Sequence, residues 1–130
     1  MAVELTNPDG LHKPPTYSHL AIGTGSRLLF ISGQVGFDAD GNLVGRDHVS
    51  QAEQAYRNLR TAVESAGGSV ADIAKITIFV VDHGPELIDP LMAARQAVFG
   101  EHRPASTFLG VAKLIRPEFL VEIEAVAVLD

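Results

Sequence analysis

The last strand-like run of the chain, Val121 to Leu129, puts two carboxylates where acid–base chemistry could be done. Strict alternation places Val121, Ile123, Ala125, Ala127 and Leu129 on one side. Glu122, Glu124, Val126 and Val128 take the other, so that side turns from charged to apolar along its length. A plain solvent face does not change character in this way, whereas a pocket wall or a subunit contact does. A carboxylate on a pocket wall can orient water and move a proton, above all where burial lifts its pKa toward neutrality. A solvated strand charge is the competing reading.

Other chemistries find less support in the residues. His12, His19, His48, His83 and His102 show no metal-ligand spacing. Asp82-His83 followed by Glu86 comes nearest to a ligand cluster, and a cap or surface turn explains it better. Asp38-Ala39-Asp40-Gly41-Asn42 has the look of a calcium loop but lacks the glutamate that would close one. No metal site is expected. The absence of cysteine excludes disulfides and thiol nucleophiles. Ser106 is preceded by no nucleophile elbow, so a serine hydrolase is not indicated.

These residues sit in a chain of 130, the length of a single domain, 1–130, with one real core. A mean hydropathy of +0.16 leans apolar for a soluble protein, which suits a subunit that covers a face with copies of itself. No apolar run approaches the roughly 18 residues of a membrane span. Met1 to Gly10 has no basic region leading into an apolar one, so the expected location is cytoplasmic. The net charge is −6 and the ten Lys and Arg residues are scattered singly, a poor match to phosphate neutralisation. No nucleic-acid partner is expected.

The elements that must hold the carboxylates follow from pattern. Residues 6 to 19 read as an irregular, proline-rich arm. Leu20–Ile22 and Leu28–Ser32 flank Gly23-Thr24-Gly25-Ser26, a hairpin signal. Gly33, inside Ser32-Gly33-Gln34, predicts a bulge or a close backbone approach to a ligand. Asp47 can cap a helix that runs to Gly67 with Val49, Ala52, Tyr56, Leu59, Val63 and Ala66 on its apolar stripe. Ile73–Val81 is a near-continuous apolar strand. A second helix over about Glu86–Phe99 carries Leu87, Leu91, Ala94 and Val98 inward, with Pro90 near its start or delaying it. Ala105–Val111 and Val121–Leu129 finish a β-β-α-β-α-β-β order, an α+β domain with both helices on one face of a mixed sheet.

Four pieces in order, Pro14-Pro15-Thr16-Tyr17-Ser18-His19, Leu28 to Gln34, Lys75 to Asp82 and Arg103-Pro104-Ala105-Ser106-Thr107 with Val121 to Val128, resemble the RidA/YjgF family, also labelled endoribonuclease L-PSP. The resemblance covers nearly the whole chain. It implies a chorismate-mutase-like fold, a homotrimer whose sheets form a central barrel, and active sites in the clefts between subunits. Most members hydrolyse enamines and imines without metal or cofactor, gripping the substrate carboxylate with an arginine and positioning water with a glutamate. Glu122 matches that glutamate and Tyr17 the family's tyrosine, which makes these two the candidate catalytic residues. Gly33 matches a pocket glycine.

At one position the chain departs decisively. Ser106 stands after Pro-Ala where most members have the arginine, Phe108 replaces a frequent cysteine, and Met92 falls about where an asparagine is usual. Hydrogen bonds to charged groups are worth about 1.5–3 kcal/mol each, so a lost bidentate grip weakens carboxylate binding by about tenfold to several-hundredfold or more. Arg95, Arg103, Lys113 and Arg116 are the cations that could substitute, each with a surface charge as its plainer reading. The expected function is a RidA-like hydrolase of a small enamine or imine less dependent on a carboxylate. Ser106, Phe108, Gly33 and Met92 would set its specificity. A non-catalytic metabolite-binding trimer is the alternative, and a ribonuclease a weaker one. His19, two residues from Tyr17, is a further candidate base.

Overall fold

The structure is a computed structural model that describes residues 2–130. Eight elements follow in order: β1 (Val3–Thr6), β2 (Leu20–Gly23), β3 (Arg27–Gln34), α1 (His48–Ser65), β4 (Ile73–Val81), α2 (Ile88–Phe99), β5 (Ala105–Val111) and β6 (Val121–Leu129). A one-turn 3-10 helix, Pro85–Leu87, leads into α2, so the second helix starts later than Glu86. Pro90 then lies in its first turn, where the missing N–H has no helical partner to lose.

The main sheet is four-stranded and mixed, ordered β3-β6-β4-β5, with β5 parallel to β4 and the other neighbours antiparallel. The expected hairpin between β2 and β3 does not form. β2 pairs instead with β1, a strand the sequence reading did not anticipate, and the two make a separate ribbon. Val128 is the reason the ribbon docks where it does. It faces away from the helices, and Ala2 and Val3 bury against it.

Alternation sorts the sheet into two faces. Ile76, Ile78 and Val80 of β4, with Val121, Ile123, Ala125 and Ala127 of β6, join Leu59, Val63, Leu91 and Phe99 of the helices in one core. Tyr56 belongs to that core, its ring set edge-on to Phe99 at 5.1 Å, which settles it as packing rather than chemistry. The opposite face has no helix, and there Leu28 and Phe30 of β3 stand exposed. Phe30 is paired with Val126 and Leu28 with Val128 across the β3–β6 ladder, so the apolar end of the β6 face continues onto β3.

Two polar residues at the start of α1 fix the geometry around the core. Asp47 caps the helix by accepting a hydrogen bond from the Ser50 N–H at 2.9 Å. That bond holds the Asp47 carboxyl below its ordinary pKa. Asp47→Ala should therefore lower the unfolding free energy by about 1 kcal/mol, read as a shift in the urea midpoint at unchanged slope. The stabilisation is complete above the ordinary carboxyl pKa and fades as pH falls through the lowered one. Wild type and variant should converge in strong acid. Gln51 is fully buried and fully satisfied. Its Nε2 donates to Gly45 O and Glu118 O, both at 3.0 Å, and its Oε1 accepts from Leu120 N at 2.8 Å. This clamp fixes the chain as it enters β6, and hence where Glu122 begins.

Candidate functional site

Three segments converge at the β5 edge of the sheet. The register Ile76↔Ser106 and Ile78↔Phe108 puts Ser106 and Phe108 on the helix-side face, because laterally paired strand residues share a face. The arm comes alongside through Ser18, whose hydroxyl donates to Arg103 O at 2.7 Å and whose backbone bridges to Ala105. Arg103 ties the arm again, donating from Nη1 to Pro15 O at 2.9 Å. Tyr17 is thereby delivered to the same edge. Helix α2 closes the third side with Ile88, Met92 and Arg95.

Together these residues and Thr16 line a cavity of about 320 Å³. Four of the six sequence-predicted site residues, Tyr17, Ser106, Phe108 and Met92, meet in it. Its walls are mainly apolar, and its polar groups are few. The Tyr17 hydroxyl lies 3.2 Å from His12 Nε2, and His19 Nε2 lies 2.8 Å from His12 O. His12, Tyr17 and His19 stack edge-to-face around one another. His19 is therefore engaged within the arm, holding the loop that carries Tyr17. His83 sets its ring against Phe108 at 4.9 Å and does not join the polar groups.

Arg95 is the unusual member of this set. It is 1% exposed, its Nη1 reaches only Met92 Sδ at 3.7 Å, and Nε and Nη2 have no partner. Among the described residues no carboxylate pairs with it. Burial pushes its pKa down; the Tyr56 hydroxyl opposes this and Arg103 adds to it. The helix stripe carried the signal that it would be inside. Arg95 follows Leu91 by four residues and precedes Val98 by three, the spacing of one buried face. Thr16 and Ile88 had no comparable signal.

The remaining two site residues lie elsewhere. Glu122 is paired with Phe79 and Glu124 with Thr77, which places both carboxylates on the open face, opposite Ser106 and Phe108. Gly33 sits beside Glu122 at the bulge where the β3–β6 register shifts between Ile31 and Gln34. A Cβ on Gly33 would stand 2.9 Å from Glu122 Cγ and collide with the carboxylate itself. The backbone and the carboxylate thus touch with no side chain between them. One copy of the chain does not bring Glu122 to Tyr17. Of the four candidate cations, Lys113 and Arg116 line a different groove, with Asp82 and Phe119.

Comparison with known proteins gives a consistent set of likenesses. A family model described as endoribonuclease L-PSP matches residues 11–129. A 2-iminobutanoate/2-iminopropanoate deaminase of Salmonella typhimurium is 36% identical over 104 residues, spanning 78% of this chain and 79% of that protein. A RutC family protein of Pyrococcus abyssi is 29% identical over 128 residues, 98% of each. The solved structure of YyfB from Yersinia pestis, described as a Rid-family protein of unknown function, is 35% identical and has a TM-score of 0.93, covering 99% of this chain and 100% of its own. RidA from an Antarctic Psychrobacter, 28% identical, reaches 0.72 over 99% of both chains, so the backbone lies much nearer the former. No helix among the described residues is long and apolar enough to cross a membrane.

Proposed function

Because the chain belongs to the endoribonuclease L-PSP family, which includes the RidA and YjgF proteins, we propose that it hydrolyses a small enamine or imine without a cofactor. The observation that carries this reading is the apposition of Glu122 to Gly33. With no β3 side chain at Gly33 to displace or cover it, the Glu122 carboxylate stays half-buried on the open face, where a water and a planar substrate can reach it. Glu122 orients that water and takes its proton as the oxygen bonds to the imine carbon. Glu122 passes that proton on to the nitrogen and takes up the proton of the new hydroxyl group as the carbonyl forms and the C–N bond breaks. That second proton leaves with the nitrogen, so that a carbonyl compound and ammonia depart and the carboxylate is restored. Tyr17 donates its hydroxyl hydrogen bond to the bound molecule.

The site is completed by a second copy. Glu122 and Gly33 lie on one face of the sheet and the Tyr17 cavity on the other. Both act on one substrate only if the open face of one subunit meets the β5 edge of the next. A homotrimer with three such clefts satisfies this and covers the exposed Leu28 and Phe30. Position 106 offers a hydroxyl where the deaminase pattern has a guanidinium, and Phe108 and Met92 narrow the cavity. The preferred substrate therefore differs from 2-iminopropanoate. The ribonuclease reading is disfavoured by the net charge of −6 and by the scattering of Lys and Arg singly along the chain.

The test is ammonia release from freshly generated imines, with Glu122→Gln as the control. Gly33→Ala is a second check. Its methyl must push the Glu122 carboxylate aside, and displacements of about 1 Å can cost about a hundredfold in rate. Turnover should fall by about that factor at nearly unchanged melting temperature. Unchanged turnover would show that the Gly33–Glu122 contact plays no part.

A further inference from the structure

We propose that Arg95 is the anion-binding group of the β5-edge cavity, holding a small carboxylate ligand from helix α2 rather than from the strand. This rests on the reading of that cavity as part of the substrate site. Its ligand is then a short monoanion with an apolar body, the carboxylate toward Arg95 and the rest against Ile88, Met92 and Phe108.

Three observations converge on Arg95. It is 1% exposed, yet Nε and Nη2 are left without partners. A guanidinium stays protonated in proteins and strongly disfavours burial without a counter-charge. No carboxylate among the described residues supplies one. Finally, Arg95 lines the same cavity as Ser106 and Tyr17. The charge missing at position 106 is therefore present in the cavity, carried on the helix. Arg103 is nearby but committed to Pro15 O. Lys113 and Arg116 belong to another groove. A buried donor pair with nothing to bind is the expected signature of a site whose partner arrives with the ligand, because functional groups are often kept at a cost in stability.

This changes the substrate class that the loss of the strand arginine suggests. The sequence reading leads toward a ligand with little need of a carboxylate. Arg95 argues for one that keeps its carboxylate but presents it from another direction, which fits a cavity narrowed by Phe108.

The test is calorimetric binding of 2-oxobutanoate, with 2-butanone as its neutral counterpart, to the intact protein. Wild type should bind the acid more tightly than the ketone by about tenfold to several-hundredfold. Arg95→Met should erase that preference while melting at or above the wild-type temperature, since an unpaired buried charge has been removed. Arg95→Lys should keep part of the preference, because it retains the charge without the fork. The proposal is overturned if wild type fails to prefer the acid, if Arg95→Met binds it as wild type does, or if Arg95→Met unfolds, which would make Arg95 a core residue. Arg95-dependent binding without ammonia release from any imine would sink the hydrolase reading and leave this inference standing.

Discussion

Glu122→Gln should reduce imine hydrolysis by about 10²–10⁴-fold, the range typical for loss of a positioned acid–base group. The substitution keeps the size and the hydrogen-bonding shape of the side chain but cannot accept the proton of the attacking water. Glu122 lies opposite Phe79 on a central strand and beside Gly33, so the backbone that positions it is held by ladders on both sides. Binding of a keto-acid product should change little, because the group that grips its carboxylate is Arg95 on α2 and not Glu122. The split separates an enzyme from a binding protein. An enzyme loses rate and keeps affinity, whereas a binding protein has no rate to lose. Glu124→Gln, two residues along the same face and more exposed, should fall by less than tenfold, consistent with a supporting role.

Phe30→Asp should break the assembly and abolish turnover together. Phe30 is 76% exposed in a single copy and pairs with Val126 on the face that has no helix. Burying a phenylalanine is worth about 1.5–3 kcal/mol, and a three-fold symmetric oligomer counts it three times, giving about 5–9 kcal/mol per trimer. An aspartate at the same place replaces that gain with the cost of burying three unpaired charges. Sedimentation should show a trimer for wild type and a monomer for the variant at micromolar concentration. The monomer should still melt cooperatively, since Phe30 contributes nothing to the helix-side core. A monomer that retains full turnover would contradict a site shared between copies.

Much of this was legible because strand and helix periods are strong signals. The bounds of β4, β5 and β6 follow from runs of branched residues ended by Gly, Pro or charge. The Asp47 cap and the Gly100 stop mark helix ends by their own chemistry. Gly33 reads as a bulge from its place within a strand, and the register shift is there. What was not legible depends on long-range partners. The Gly23–Ser26 turn looks like a hairpin locally, but β3 pairs along β6, far away in sequence, and β2 is left to β1. Gln51 and Arg95 look like surface residues by type, yet both are buried on their helix stripes. Gln51 is satisfied by carbonyls 6 and 67 residues away, which no local window contains. The separation of Glu122 from Tyr17 across the sheet needs the pairing register, not the motif.

Ammonia release from a panel of freshly generated imines tests the central claim most directly. The panel would hold 2-iminobutanoate, a bulkier 2-imino acid and a neutral imine, each with wild type, Glu122→Gln and no protein. Wild type should accelerate at least one member well above the spontaneous rate, and Glu122→Gln should not. No acceleration of any member, or equal acceleration by the variant, would contradict a hydrolase built around Glu122.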